Sequence, residues 1–270
     1  MKLFPLFPVL LSLFPFLAHA EFTDEDLPRD AFTQEVVLRG EPVDNSHPFA
    51  RMTVLLASPR PDDHVSVCTG TILAKNLILT ASHCVLDENG TKATKVMVLS
   101  PVDKKAIEGA AWVAHPGYRF EAAGDSVYTA HDVALVKLKA PLAFKGLMRA
   151  KLPVADYFVA GQVQSVFVAG YGRTDPEGDN GVGRLYSGES KAQILPSPLG
   201  EDSFLQMEGE TIAQLCPGDS GGPVFLQRKD GYYAVGVHSL ADCFAASRSA
   251  SVFHNISWIK KTAAKLGVKL

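Results

Sequence analysis

Hydrophobic positions between residues 50 and 138 fall in short runs rich in β-branched residues and separated by turn residues. The runs are MTVLLAS (52–58), VSVCTGTIL (65–73), NLILTA (76–81), KVMVL (95–99), AAWVAH (110–115) and DVALVKL (132–138). Runs this short cannot be helices of ordinary length, and six in succession predict a closed β unit. After residues 140–156 a second set appears: QSVFVAGYG (164–172), RLYSGESKAQIL (184–195), SFLQM (203–207), GPVFLQ (222–227), YYAVGVHS (232–239) and a run around 251–253. The pattern therefore predicts an all-β fold of two six-stranded antiparallel β-barrels, at 36–145 and 146–270. The period then changes: Ile256, Ile259, Ala263 and Leu266 recur at spacings of three and four, with Trp258 among them, which predicts a C-terminal amphipathic α-helix. Glycine- and acid-rich stretches at 87–90 and 175–183 predict surface loops.

The first hydrophobic stretch is of another kind. MKLFPLFPVLLSLFPFLAHA carries one charge, Lys2, then a proline-rich apolar segment and the small-x-small ending Ala18-His19-Ala20. That is the layout of a secretory signal peptide cut after Ala20, and no later apolar run approaches the ~20 residues a membrane helix needs. The expected product is secreted, extracellular or periplasmic, with no membrane contact once the signal is removed. Export changes the reading of Cys68, Cys84, Cys216 and Cys243, because an oxidising compartment keeps thiols paired and no C-x-x-C or H-E-x-x-H spacing is present. Four cysteines allow three pairings. Cys68 with Cys84 and Cys216 with Cys243 is preferred, since each pair encloses one of the motifs below. No metal and no cofactor are expected.

Residues 1–35 hold two basic and six acidic side chains of the chain's 26 and 29, leaving 24 and 23 in the body. A near-neutral body without a basic stripe argues against nucleic acid as a partner. The lysines at 260, 261, 265 and 269 read as the solvated face of the terminal helix.

Three short motifs carry the candidate chemistry, and the first two are weak alone. LTASHC places His83 at the end of an apolar run, where a histidine is usually structural. AHDVALVKL places Asp132 at the start of a strand, an ordinary position for a turn residue. CPGDSGGP at 216–223 is far more specific, because glycines on both sides of Ser220 are hard to explain by packing. It also places a carboxylate, Asp219, in a tight turn, where a buried charge without a partner is costly.

With His83, Asp132 and Ser220 in this order, the chain from about residue 36 onward resembles the chymotrypsin and trypsin family of secreted serine endopeptidases, including a terminal SWIK helix. The resemblance implies that Ser220 attacks a peptide carbonyl, His83 takes and returns its proton, and Asp132 orients the imidazole. It implies an oxyanion hole made by the amides of Gly218 and Ser220, and a supporting Ser239 that bonds the triad aspartate and lines the bound peptide. Protein or peptide substrates follow, with a monomer as the expected state. Leu240-Ala241 stands where the family usually has Trp-Gly, and the loop after Cys84 lacks a set of calcium ligands.

By the same resemblance, Asp219 pairs with an α-amino group liberated when a propeptide, here residues 21–35, is removed. The matching region is Val36-Val37-Leu38-Arg39-Gly40, so the new terminus is Val36 or, in the alternative register, Val37. An activating protease is thus an expected partner, and in the Val36 register Glu35 precedes the cut, so an enzyme that cuts after glutamate could process itself. Gln214 matches the base of the primary pocket, where members that cleave after Arg or Lys carry an aspartate; Leu215, His238, Ala241 and Ser251 are its expected neighbours. A neutral base excludes tryptic specificity. His238 matches a histidine of glutamate-specific relatives, while Leu215 and Ala241 suit Phe, Tyr or Leu, and both classes stay open. The rival readings are a non-catalytic homologue acting as a secreted binding protein, and an esterase of another fold with a G-x-S-x-G elbow. The complete triad argues against the first, and the lack of alternating βα units against the second.

Overall fold

The computed structural model describes residues 37, 39–59, 65–86, 90–123, 126–173, 182–200, 202–209 and 213–270. The expected signal and propeptide segments, Val36, and most of the loops expected at 87–90 and 175–183 lie outside the described residues. A two-residue strand β1 (Glu41–Pro42) leads into β2 (Thr53–Pro59), β3 (Val65–Ala74), β4 (Leu77–Thr80), β5 (Met97–Leu99) and β6 (Ala106–Ala114). β7 (Arg119–Ala123) and β8 (Ser126–Ala130) form a separate hairpin, and β9 (Ala134–Leu138) follows. The first barrel closes in the order β2-β3-β4-β9-β6-β5, all antiparallel, with β5 returning to β2 at Leu55–Leu99. The runs of β2 and β4 stand out in the sequence because they are buried nearly throughout: every residue of β4 is buried, and six of the seven in β2.

The second barrel is built from β10 (Gln164–Gly170), β11 (Tyr186–Pro196), β12 (Ser203–Glu208), β13 (Pro223–Arg228), β14 (Gly231–Ala241) and β15 (Ala246–Ser251). The order β11-β10-β13-β14-β15-β12 closes through β12 and β11, and β1 adds to the outside of β11. One expectation is corrected. The sixth strand runs over Ala246–Ser251 rather than around 251–253: its three serines break the apolar pattern, and two of them, Ser249 and Ser247, bond His238 and Gln214.

Helix α1 (Ile256–Lys265) lays Ile259 and Ala263 into the core of the first barrel, with Leu77, Val136 and Leu138, and Lys137 donates to the carbonyl of Leu266 at its end. The end of the chain thereby braces the opposite half of the molecule. The four terminal lysines are exposed; Lys260, Lys261 and Lys265 lie on the helix as expected, whereas Lys269 lies past its end. Between the barrels, Phe49, Met52 and Leu55 pack on Ala169, Tyr171, Phe225 and Ala234, with Phe49 stacked on Phe225 at 5.0 Å. Among the described residues no helix is long and apolar enough to cross a membrane.

Candidate active site

β4 ends at Thr80, and Ser82–Cys84 then form one turn of 3-10 helix that carries His83 out of the first barrel. Two ties hold the turn. Cys84 is disulfide-bonded to Cys68 on β3, and the buried hydroxyl of Ser82 donates to the carbonyl of Val133 at 2.8 Å, next to Asp132. Asp132 sits between β8 and β9 and is fully buried. Its Oδ1 accepts the backbone N–H of His83 at 3.1 Å, and its Oδ2 lies 2.7 Å from His83 Nδ1 and accepts the Ser239 hydroxyl at 2.5 Å. Thr129 on β8 reaches the same Ser239 hydroxyl at 2.7 Å. Burial alone would push the Asp132 carboxyl up, but the charge of His83 and the hydrogen bonds from His83 and Ser239 outweigh it and hold the group below the usual carboxylate range. An ionised, oriented Asp132 selects the His83 tautomer with a proton on Nδ1.

Ser220 comes from the second barrel, on the loop before β13. Its carbonyl accepts the N–H of Thr69 at 2.7 Å and lies 3.5 Å from Cys84 Sγ, which sets the loop against the turn that carries His83. The glycines make that approach possible. Gly221 has φ +80, and a Cβ there would lie 2.1 Å from Thr80 Oγ1, so no side chain fits between loop and barrel. Gly218 has φ +102, with Gly172 Cα 2.6 Å from where its Cβ would stand. Within residues 216–222 the N–H of Cys216 goes to Asp219 Oδ2, that of Asp219 to the Cys216 carbonyl, that of Gly221 to His238 and that of Gly222 to Asp219. Among the described residues, the N–H groups of Gly218 and Ser220 donate to nothing, so both are available to an oxyanion.

Asp219 is fully buried; besides Cys216 it accepts the N–H of Gly172 at 2.8 Å. Gly170 and Gly172 make room for it, since a Cβ at either would fall within 2.1 to 2.7 Å of Asp219 Oδ1. Burial raises its carboxyl to about 7, against the pull of the Cys216 and Gly172 amides. Val37 is fully buried in the cluster that holds Ala213 and Leu215.

A cavity of ≈ 200 Å³ adjoins Ser220, lined by residues 215–217 and 238–241 with Ser220 itself. Leu215, His238, Ser239 and Ala241 thus line it as expected. Two expected lining residues do not. Gln214 is buried behind the cavity with its amide closed off, donating to the Gly209 carbonyl at 3.0 Å and accepting from Ser247 at 2.8 Å. Ser251 pairs in register with Gly236, two residues before His238, and its hydroxyl meets His254 Nδ1 at 3.1 Å. The residue opposite His238 is Ser249, whose hydroxyl lies 3.1 Å from His238 Nδ1; it carried no sequence signal beyond its place in a serine-rich run. Among the described residues His238 Nε2 is buried without a well-formed hydrogen bond, and burial pushes the imidazole down to about 3 against the pull of the nearby Ala169 and Pro223 carbonyls, so it is neutral.

Both expected disulfides are present, Cys68–Cys84 and Cys216–Cys243. Among the described residues one group of potential metal ligands converges, Cys68, His83 and Cys84, but its sulfurs are bonded to each other and His83 Nδ1 faces Asp132, so the set does not fit an ion. In comparison with known proteins, the family model described as Trypsin matches residues 40–261, which takes in both barrels, all the candidate catalytic residues and most of the terminal helix.

Proposed function

The chain belongs to the trypsin family of serine proteases, and from that membership we propose that it is a secreted serine endopeptidase with His83, Asp132 and Ser220 as its triad. The observation that carries the proposal is the fully buried Asp132, gripped by His83 and Ser239 on one oxygen. A buried carboxylate is costly, and here its lone pairs are spent on orienting an imidazole that is partly exposed, 31% at the side chain. Ser220 Oγ attacks the scissile carbonyl. With Nδ1 bound to Asp132, proton transfer from Ser220 falls to His83 Nε2. The carbonyl oxygen gains its negative charge against the N–H groups of Gly218 and Ser220. Collapse of this intermediate breaks the C–N bond, the amine leaves with the proton from His83, and an acyl-Ser220 remains. Water then attacks the acyl carbon with His83 as base and releases the acid product.

The proposal includes export after removal of residues 1–20 and activation by removal of a propeptide ending at Glu35 or Val36. Asp219 supports activation: its carboxyl is raised to about 7 with only amide partners among the described residues, and a liberated α-amino group would supply the missing positive charge. At the specificity cavity the closed amide of Gln214 leaves no charge to receive Arg or Lys. The orphaned Nε2 of His238 favours a substrate glutamate carboxylate. Leu215, Leu240 and Ala241 in the same lining favour a second reading, an apolar side chain. Titration of the processed protein with a fluorophosphonate tests the core proposal: one equivalent of label on Ser220, with loss of peptide hydrolysis, is expected. Absence of labelling and hydrolysis in folded, processed protein would instead identify a non-catalytic homologue.

A further inference from the structure

We propose that Thr69 is a positioning residue for the nucleophile loop, its hydroxyl holding the Gly218 carbonyl so that the N–H groups of Gly218 and Ser220 stay turned to the oxyanion. The proposal rests on the reading of Ser220 as the nucleophile. Thr69 lies on β3 beside Cys68 and is fully buried. Its hydroxyl donates to the Gly218 carbonyl at 2.9 Å and accepts the N–H of Tyr171 at 3.0 Å. Its backbone N–H donates to the Ser220 carbonyl at 2.7 Å, and its own carbonyl accepts the Thr80 hydroxyl at 2.9 Å. One residue of the first barrel therefore grips two carbonyls of the catalytic loop of the second. Two equally buried threonines of the same barrel, Thr53 and Thr71, have hydroxyls with no hydrogen-bond partner among the described residues. Burial on a strand does not by itself produce the Thr69 arrangement.

The loop needs this restraint. Gly218, at φ +102, has no side chain to limit its rotation, and a turn of the 218–219 peptide would disturb the N–H directions on which the hole depends. That peptide is held at both ends, its carbonyl by Thr69 and its N–H by the Cys216 carbonyl at 3.0 Å. The Pro217 carbonyl is taken by the Arg173 N–H, the Asp219 carbonyl by Gly222 and the Ser220 carbonyl by Thr69. Thr69 is the holder that reaches Gly218 through a side chain, so its contribution can be removed by substitution. Because the Tyr171 N–H occupies a lone pair of Oγ1, the hydroxyl proton is directed to Gly218.

The test compares Thr69→Val, Thr69→Ser and Thr69→Ala in the processed protein, reading kcat, KM, inhibition by a peptide aldehyde that adds to Ser220, and thermal midpoint. Thr69→Val keeps the shape and removes both hydrogen bonds of the hydroxyl, the one to Gly218 and the one from Tyr171. It is expected to lower kcat about 10- to 100-fold and to weaken aldehyde binding in step, with KM within about twofold. Thr69→Ser is expected to restore most of kcat. Unchanged kcat and aldehyde affinity in Thr69→Val overturn the proposal, as does a serine variant as impaired as the valine one. Should Thr69→Val not fold, the serine and alanine variants decide: an active serine with an impaired alanine supports the role of the hydroxyl, and equal activities overturn it. A wild-type protein that fails to label with fluorophosphonate removes the premise instead, which separates failure of the proposed function from failure of this inference.

Discussion

Asp202 of the second barrel accepts the backbone N–H of His131 of the first through Oδ2 at 2.6 Å, one residue before Asp132. His131 sits at φ +50, a conformation uncommon for a residue with a side chain, and its ring stacks on His115 at 4.3 Å while Nδ1 meets Asn255 Oδ1 at 2.8 Å. Asn255 in turn donates to Asp202 at 3.4 Å and to the Ser251 carbonyl at 2.9 Å. The backbone entering Asp132 is thus fixed from the other half of the molecule. Asp202→Ala leaves a mostly buried N–H unpaired and is expected to cost about 1 to 3 kcal/mol of stability and to lower kcat. Asp202→Asn keeps an acceptor and should retain most of both. Thermal melts and steady-state kinetics check this, and an alanine variant indistinguishable from wild type would contradict it.

The hydrogen bonds at Asp132 rank the site residues. Ser220→Ala and His83→Ala are each expected to reduce peptide hydrolysis about 10⁶-fold, with no larger loss when combined, because a triad of the proposed kind acts as a unit. Ser239→Ala removes one of three bonds to the Asp132 carboxylate and should cost about tenfold in kcat. Circular dichroism establishes that each variant folds. Full activity in purified Ser220→Ala would refute the assignment.

Much of this arrangement was legible before the fold was seen. The strands of the first barrel announce themselves because stretches such as LILT and TVLLAS are buried almost throughout, and GDSGGP is recognisable because the loop tolerates no Cβ at Gly221 or Gly218. What stayed hidden is polar. β15 is spelled ASRSAS because Ser247 and Ser249 serve Gln214 and His238 from inside the barrel, so its apolar signal is weak and the strand was expected too late. The hairpin of β7 and β8 belongs to neither barrel; Thr129 and Tyr128 on it contact Ser239 and Phe204, partners distant in sequence. Thr69, Asp202 and Asn255 each bond a residue of the other barrel, and nothing in their local sequence distinguishes them from an ordinary strand, loop or cap residue.

Burial of Asp219 makes a pH dependence that can be isolated. In the uncut chain its carboxyl stands at about 7, above the ordinary 3.8, so between those values the folded state binds a proton that the unfolded state does not. Its contribution is therefore fully present at low pH and lost as pH rises through about 7. His115 and His238 run the other way: burial, aided at His115 by the neighbouring His131, holds them at about 4 and about 3, so their contribution is present above 6.5 and lost on acidification. Comparing urea unfolding of uncut wild type and Asp219→Asn from pH 4.5 to 7.5 cancels the histidines. The wild type should lose stability with rising pH relative to the variant. Parallel profiles would show that Asp219 does not titrate in this way.

The proposed glutamyl specificity rests on the pair His238 and Ser249. Their 3.1 Å contact has two proton arrangements, and when Ser249 donates to Nδ1, the neutral ring carries its proton on Nε2, the buried atom without a partner. On the proposed glutamyl reading a substrate carboxylate in the adjoining cavity would accept that proton, and a hydrogen bond to a charged group contributes about 1.5 to 3 kcal/mol. Leu215 and Ala241 bring only apolar contact, where one methylene more or less is worth about 1 to 3 kcal/mol, so the two effects are of similar size and must be separated by measurement. Matched substrates ending in Glu, Phe, Leu and Arg are to be compared by kcat/KM in wild type, His238→Ala and Ser249→Ala. Arg should be poorest in wild type, since Gln214 supplies no negative charge. Loss of the imidazole should lower Glu cleavage about 10- to 100-fold while sparing Phe and Leu, and Ser249→Ala should have a smaller effect of the same sign. Wild type preferring Phe or Leu to Glu, or His238→Ala leaving Glu cleavage unchanged, would reject the glutamyl reading and leave the apolar one. Preference for Arg would reject both.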